Sequence, residues 1–507
     1  MPLRSCSALR YPQCDNKARR VQSRREARDG RAEGYNVRMR AHPYGSLLAF
    51  VRLAAVLLIG WPAAASAQTD TPTPLPPTAV PPVDVMLPNY NGVPTGEIAS
   101  IEGGAFVARA NDTSATYYNP AGLTLAKQTS VSGSAGMFQF TSVTGDGLES
   151  TASSFQQIPS LFAVAVKGKD TWSNWAGGLS FARVNAWKQT VDAERSIQTT
   201  GGSDRFAYSS GAEFAGWIAS LSVGHTNGGK LRVGGSLDGQ YTSTDRGQAI
   251  SDQYRTTTGL NALTIRSDGW AWATHLRLTA GAQYDVTPTV RVGAVFRSAG
   301  LGVISSGFTS IEGLSSVGPT TTSASFFDKE GEVQYKIPTE FRGGVSWTGA
   351  RAQLEADVLT YTGRGQYDAY TSTQPVTIIN DPGQGAAPTV QLLPYVPKVV
   401  DSRSVVNIAM GGHYNVTSNG MWTLHAGFST DNSPVGEHDT QFTKINLQNW
   451  TAGVSGRTKL FLGSLGLQYT TGVSGVIPLR QWQNGQQFVT SFHVANVGFI
   501  YSLAVLF

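Results

Sequence analysis

Arg232, Arg277, Arg291 and Arg342 are the residues whose type and setting point most directly to chemistry. Each falls on the polar face of a segment in which apolar and polar side chains alternate, so each would project into an interior. An ionised carboxylate cannot sit unpaired in an apolar pocket, and one or two guanidinium groups supply the charge such a head group needs. The same arginines also suit a structural task, pairing with interior acids such as Glu355 and Asp357 to hold the molecule together. For any single arginine the structural task is the commoner one. Of the seven histidines, His413 and His425 lie on the polar faces of neighbouring segments whose hairpin could bring them together. No Cys or acidic third ligand stands at a metal-site spacing, so neither a metal nor another cofactor is expected. His275 and His493 have no partner in view. No nucleophile elbow, phosphate loop or dinucleotide fingerprint sits in a strand–turn–helix setting, and an enzyme is not expected.

The elements that must carry these residues are strands. In 230–241, Leu231, Val233, Gly235, Leu237 and Tyr241 share one face, while Lys230, Arg232, Ser236, Asp238 and Gln240 share the other. Residues 270–285 and 351–358 repeat the pattern, the latter setting Gln353, Glu355 and Asp357 against Leu354, Ala356 and Val358. Fourteen such strands are expected, at 129–140, 160–168, 174–187, 212–226, 230–244, 268–285, 288–300, 339–348, 350–361, 403–416, 420–430, 446–458, 461–474 and 489–507. Their connections alternate between short and long, the long ones being 141–159, 188–211, 245–267, 301–338, 362–402, 431–445 and 475–488. Alternation of this kind, with aromatics at strand ends, is what turns on one side of a membrane and loops on the other produce. In the last strand Ala495, Val497, Phe499, Tyr501, Leu503, Val505 and Phe507 fall on one face. A half-buried strand of a secreted sandwich would also alternate, and is the competing reading.

Ahead of the strands, 96–128 has neither period. It is rich in small residues, with Gly103-Gly104 and then Tyr117-Tyr118-Asn119-Pro120-Ala121-Gly122-Leu123. Asn before Pro biases the chain to an extended or turn geometry, and Gly122 is free to turn. Such a segment suits chain that must fit inside something else. Together with Asp112-Thr113-Ser114-Ala115, this run resembles the N-terminal plug of the FadL family, outer-membrane transporters of long-chain fatty acids and aromatic hydrocarbons. The resemblance extends from Gly96 to the C-terminus, and only the plug motif is specific. It implies that Asn119, Pro120, Ala121 and Gly122 occupy the plug motif of an all-β fold, a fourteen-stranded antiparallel transmembrane β-barrel with an N-terminal plug inside the lumen. It implies passive uptake of a hydrophobic small molecule. Such barrels have a kink in their third strand facing the plug. Here Gly177 and Gly178 stand in the third strand, as candidates for a lateral opening or simply as relief from crowding. The terminal Phe507 looks like the signal read by the outer-membrane assembly machinery.

The chain carries 39 Lys and Arg against 34 Asp and Glu. Twelve of the basic and four of the acidic residues lie in 1–67, leaving 27 against 30 beyond, so the charge does not argue for nucleic acid. Both cysteines, Cys6 and Cys14, lie in the same front part. Residues 1–38 read as an unstructured or untranslated extension. Residues 39–67 read as a secretory signal peptide, with a short apolar run and Ala65-Ser66-Ala67 at its end. Residues 68–95 form a Pro/Thr-rich tether, 96–128 the plug and 129–507 the barrel. The location expected is the outer membrane of a Gram-negative bacterium, with a monomer contacting membrane lipid, the assembly machinery and its substrate. A surface-binding or adhesion protein acting through its loops, and a general porin, are the alternatives.

Overall fold

The computed structural model describes residues 88–91, 95–145, 148–154, 158–199, 202–256, 259–436, 444–474, 477–481, 487–490 and 493–507. The extension 1–38, the signal segment 39–67 and nearly all of the tether 68–95 lie outside the described residues. Fourteen antiparallel strands pair in chain order into a closed ring. They are β1 (Ser130–Gly145), β2 (Ile158–Lys167), β3 (Trp175–Thr199), β4 (Gly202–Thr226), β5 (Leu231–Thr256), β6 (Leu260–Asp285) and β7 (Val290–Arg297), then β8 (Glu340–Thr348) and β9 (Ala352–Tyr361). The ring goes on through β10 (Val405–Asn415), β11 (Trp422–Asp431), β12 (Ile445–Arg457), β13 (Phe461–Ser474) and β14 (His493–Leu506). β14 closes on β1 from Ser130↔Leu506 upwards. The strand number expected from alternation is the number found.

The long connections differ from expectation. Five of them, 141–159, 188–211, 245–267, 301–338 and 362–402, are largely sheet rather than loop among the described residues. From Asn185↔Gly216 the β3–β4 ladder runs without a gap in described pairing to Thr199↔Gly202, and β5–β6 runs to Arg255↔Leu260. A further hairpin, Leu301–Val317 with Thr320–Val333, extends the sheet beside β6. Much of the sequence of these added parts is polar. Their strand character comes from ladder hydrogen bonds and from Ser, Thr and Tyr, which leave no apolar period to read.

The burial pattern decides between a membrane barrel and a soluble sandwich. On β6 the apolar face is the exposed one, with Leu276 at 44% and Leu278 at 62%, while His275 at 2% and Arg277 at 6% are buried. The same inversion holds on β9, where Leu354 and Val358 are exposed and Glu355 and Asp357 are buried. On β14, Val497, Phe499 and Leu503 face outward and Ile500, Ser502 and Ala504 inward. A sandwich in water would bury the first set; a barrel in lipid exposes it.

The buried polar face is not empty space, because residues 95–126 pack against it. This inner segment contains two short 3-10 turns, Ala99–Glu102 and Pro120–Leu125, and one helical turn, Ala115–Tyr118. Ten wall strands each place a glycine where a side chain would meet the segment or what holds it: Gly178, Gly224, Gly234, Gly281, Gly293, Gly344, Gly411, Gly427, Gly453 and Gly466. A Cβ at Gly427 would run into the backbone of Glu102 and Gly103, and one at Gly293 would lie 2.6 Å from the Val107 carbonyl oxygen. The wall therefore gives up its side chains along a belt and brings backbone against backbone. Gly427→Ala should destabilise the docked segment by about 1–3 kcal/mol, the usual range for overpacking. Limited proteolysis of residues 95–126 in the folded barrel measures this. Gly343→Ala, with nothing near its Cβ position, should leave the segment as protected as in the parent.

Candidate functional site

Between the inner segment and the long-hairpin half of the barrel lies a cavity of about 60 Å³. Its apolar wall is Tyr117, Val184, Phe214, Ile218, Tyr335 and Ile337; its charged wall is Arg277, Arg297, Arg342 and Glu340. The charges come from neighbouring strands of the ring, β6, β7 and β8, on inward positions fixed by the alternation. Arg297 donates from Nη1 to Glu340 Oε2 at 2.7 Å and from Nη2 to the Tyr117 carbonyl at 2.7 Å. Arg342 pairs with the other oxygen of Glu340. The guanidinium groups of Arg297 and Arg342 both stand over the Tyr117 ring, 5.0 and 5.2 Å from its centroid. Arg277 donates to Ser298 O, Gln240 Oε1 and Pro338 O, and lies 4.0 Å from Glu340. Asp238 is 3.9 Å from Arg297. Three guanidinium groups thus face two carboxylates. A buried surplus of positive charge beside an apolar wall suits a ligand with a hydrocarbon body and an anionic or electron-rich end.

The sequence candidates fall into two groups. Arg277 and Arg342 line this cavity. Arg232 and Arg291 do not; both are held at the short-turn end of the barrel by Asp285, at 2.5 and 2.6 Å. Arg297 and Glu340 belong to the cavity and were not singled out from sequence; Tyr117, named there only within the plug run, belongs to it too. Arg297 stands at the end of β7, where alternation alone gives no reason to prefer it over Arg291. Glu355 and Asp357 do hold the interior together, but not through wall arginines. Asp357 accepts from the amides of Phe106 and Val107 at 2.8 and 3.2 Å, and Glu355 from those of Ala108 and Arg109 at 2.6 and 3.1 Å.

The Asn-Pro-Ala-Gly run has a physical account at each position. Asn119 accepts from the Ala121 amide at 3.2 Å and donates to Val107 O and Ala282 O at 2.9 and 3.0 Å, tying two parts of the segment to β6. Pro120 opens the following 3-10 turn, which Ala121 continues while fully buried. Gly122 lies against the Ala110 carbonyl, leaving no room for a Cβ. Gly178 is part of the glycine belt, beside Thr116 and Leu123, whereas a side chain at Gly177 would meet only Ser222 O at 3.9 Å. The ladder is unbroken across both, from Lys167↔Ala176 to Leu161↔Ala182 and from Ala176↔Gly224 onward. The irregularity in β3 falls later: its pairing with β2 stops at Leu161↔Ala182, and its register with β4 shifts between Arg183 and Asn185. Val184 and Asn185, at that bulge, line the cavity. Phe507 is exposed on the outer face, its amide donating to Thr129 O at 2.9 Å.

On the short-turn side of the inner segment lies a larger, more polar vestibule of about 580 Å³, lined among others by Glu97, Arg109, Asp112, His413, His425 and Arg457. His413 and His425 are paired across β10 and β11, as their hairpin suggested. Their partner is Glu102 of the inner segment, 3.0 and 2.5 Å away. Burial pushes Glu102 up, but the charge of Arg109 and hydrogen bonds from the two histidines outweigh this and hold it well below the usual carboxylate range. Glu97 goes the other way, raised well above that range by burial and by the neighbouring Asp112 carboxyl. Asp112 is raised as well, chiefly by burial. The folded state therefore keeps protons on Glu97 and Asp112 that the unfolded chain releases from about pH 4 upward, and it loses stability as pH rises through that window. Glu97→Gln should leave the thermal midpoint near that of the parent at pH 5 and raise it relative to the parent at pH 9, as followed by tryptophan fluorescence.

No family model and no curated protein matches the chain. Solved structures do. A Pseudomonas aeruginosa FadL homologue superposes with a TM-score of 0.51 at 14% identity, over 83% of this chain and 99% of that one. A mutant of the monoaromatic hydrocarbon channel TodX superposes with a TM-score of 0.50 at 14% identity, over 81% and 98%. At that identity the likeness speaks for fold alone. The chain has the FadL-type β-barrel fold.

Proposed function

We propose that this protein carries hydrophobic compounds passively across a Gram-negative outer membrane, with residues 96–128 acting as a plug. The observation that carries this reading is the cavity at Tyr117, which joins an apolar wall to surplus arginine charge on the long-hairpin side of the inner segment. The outward apolar faces support the membrane setting. The plug separates this cavity from the polar vestibule, which argues against a general porin and its open aqueous lumen. Catalysis draws no support from the cavity, where Arg297 and Arg342 are paired with Glu340 and Lys336 stands over the Tyr367 ring. The similar barrel named for monoaromatic hydrocarbons and the FadL homologue leave the substrate class between hydrocarbons and fatty acids.

The compound leaves sideways in this reading. Passing into the bilayer keeps its apolar surface out of water, at about 25 cal/mol per Å². The exit is the seam above Leu161↔Ala182, where β3 has lost its β2 ladder and bulges at Val184 beside the cavity.

Conductance in planar bilayers tests the plug: removing residues 96–128 should convert a closed barrel into an open pore. An adhesion protein would instead lose surface binding on loop truncation, with uptake unchanged. Arg342→Met separates the substrate classes. Uptake of a fatty acid should fall by about tenfold, the loss of one charged hydrogen bond, while that of an alkylbenzene should stay near the parent value. Deleting Val184 should restore the β3–β4 register and reduce uptake of either class in a barrel that still folds. Undiminished uptake would rule out this exit.

A further inference from the structure

We propose that Glu102, His413 and His425 form a binding site for one divalent transition-metal ion, zinc by the nature of its donors, which fastens the inner segment to the barrel wall. The site is built from the wall upward. Gly411 and Gly427 are paired across β10 and β11, and His413 and His425 are paired on the same face two residues along. The backbone of Glu102 rests on the two glycines, since a Cβ on either would run into it. Its carboxylate is thereby set over the two imidazoles, with Oε1 3.0 Å from His413 Nδ1 and 2.5 Å from His425 Nδ1. One donor atom from each residue lies within 4.8 Å of the other two. Two imidazoles and a carboxylate from three separate elements make the donor set of a zinc site with an open fourth position. Small side-chain shifts bring the donors to the spacing of about 3.3 Å that a tetrahedral ion with ligands near 2 Å requires.

The surroundings prepare these donors. Ser455 Oγ lies 2.8 Å from His425 Nε2 and holds that ring with Nδ1 toward Glu102. Arg109 is ion-paired with Oε2 of Glu102, leaving Oε1 to the histidines. Partners of this kind on the far side of each ligand are what orient metal ligands. Arg109 is also paired with Glu355 at 2.9 Å, so one guanidinium faces two buried carboxylates, and a dication supplies the charge it lacks. Arg109 Nη1 stands 3.4 Å from His413 Nδ1, a contact the ion would replace. Both histidines open onto the vestibule of about 580 Å³, which gives the ion a path and leaves room for water at the open position.

The test uses the full-length barrel in detergent, stripped with a chelator and titrated calorimetrically with ZnCl2, with CoCl2 as a spectroscopic probe. One equivalent should bind, Co(II) should show the visible bands of tetrahedral coordination, and zinc should slow proteolysis of residues 95–126. His413→Ala, His425→Ala and Glu102→Gln should each abolish saturable binding. Ser455→Ala should weaken it by about 10–100-fold, the effect of losing an orienting partner. Heat-modifiable migration on gels confirms that each variant is a folded barrel. Binding that survives His425→Ala would place the ion on other histidines and overturn the proposal. So would an absence of saturable binding to the parent, which would leave the two imidazoles as plain hydrogen-bond donors to Glu102.

Discussion

Four consecutive backbone amides, from Phe106 to Arg109, end on the carboxylates of Asp357 and Glu355, and the interior of the barrel depends on that junction. A segment folded inside a closed sheet cannot join the ladder, because every wall strand already has two neighbours. Its amides must still be paired, since an orphaned buried N–H costs as much as a lost hydrogen bond. The wall answers with acids, each of which accepts more than one bond. Acids buried in this way need a cation nearby, and Arg109 supplies it from the segment itself. Removing either acid would strand the amides, and removing Arg109 would strand two charges.

That junction can form only if the segment reaches the wall, which is the work of the glycine belt. Side chains at Gly293, Gly411 or Gly427 would hold the backbone of the segment away from acceptors that must lie within about 3 Å. The outer face follows the opposite rule. There, Leu, Val and aromatic side chains are exposed, the pattern a barrel wall presents to lipid. One strand thus serves two solvents, and its two faces are under unrelated demands. Gly343 and Gly344 are adjacent on β8, yet only Gly344 is held by its surroundings.

The cavity at Tyr117 sits where these demands meet. Its ring is held between arginines of β7 and β8 and its carbonyl is taken by Arg297, so the segment itself forms one wall of the site. Movement of the segment would therefore change the site directly. The bulge at Val184 brings the irregular part of β3 to the same place, which ties the cavity to the point beyond Leu161↔Ala182 where described pairing between β2 and β3 stops.

Much of the fold was legible because a bilayer writes a simple rule onto a strand. The fourteen strands, their inward and outward faces and the positions of the short turns all follow from alternation with period two, which the pleat makes local. The small-residue composition of 96–128 likewise marked chain that had to fit inside. The extended hairpins were not legible, because their largely polar sequence carries no sustained apolar period. Nor were the sites. Arg232 and Arg277 have the same alternation, yet Asp285 claims one and the cavity the other. Glu102 meets His413 and His425 across more than three hundred residues of chain, and a Cβ at Gly178 would meet the Thr116 side chain, a contact with no trace in the strand pattern. The sequence by itself determined which side of the wall each residue occupies. Only the tertiary structure decided what it meets there, because barrel closure and the path of the inner segment set those contacts, and neither leaves a periodic trace in the chain.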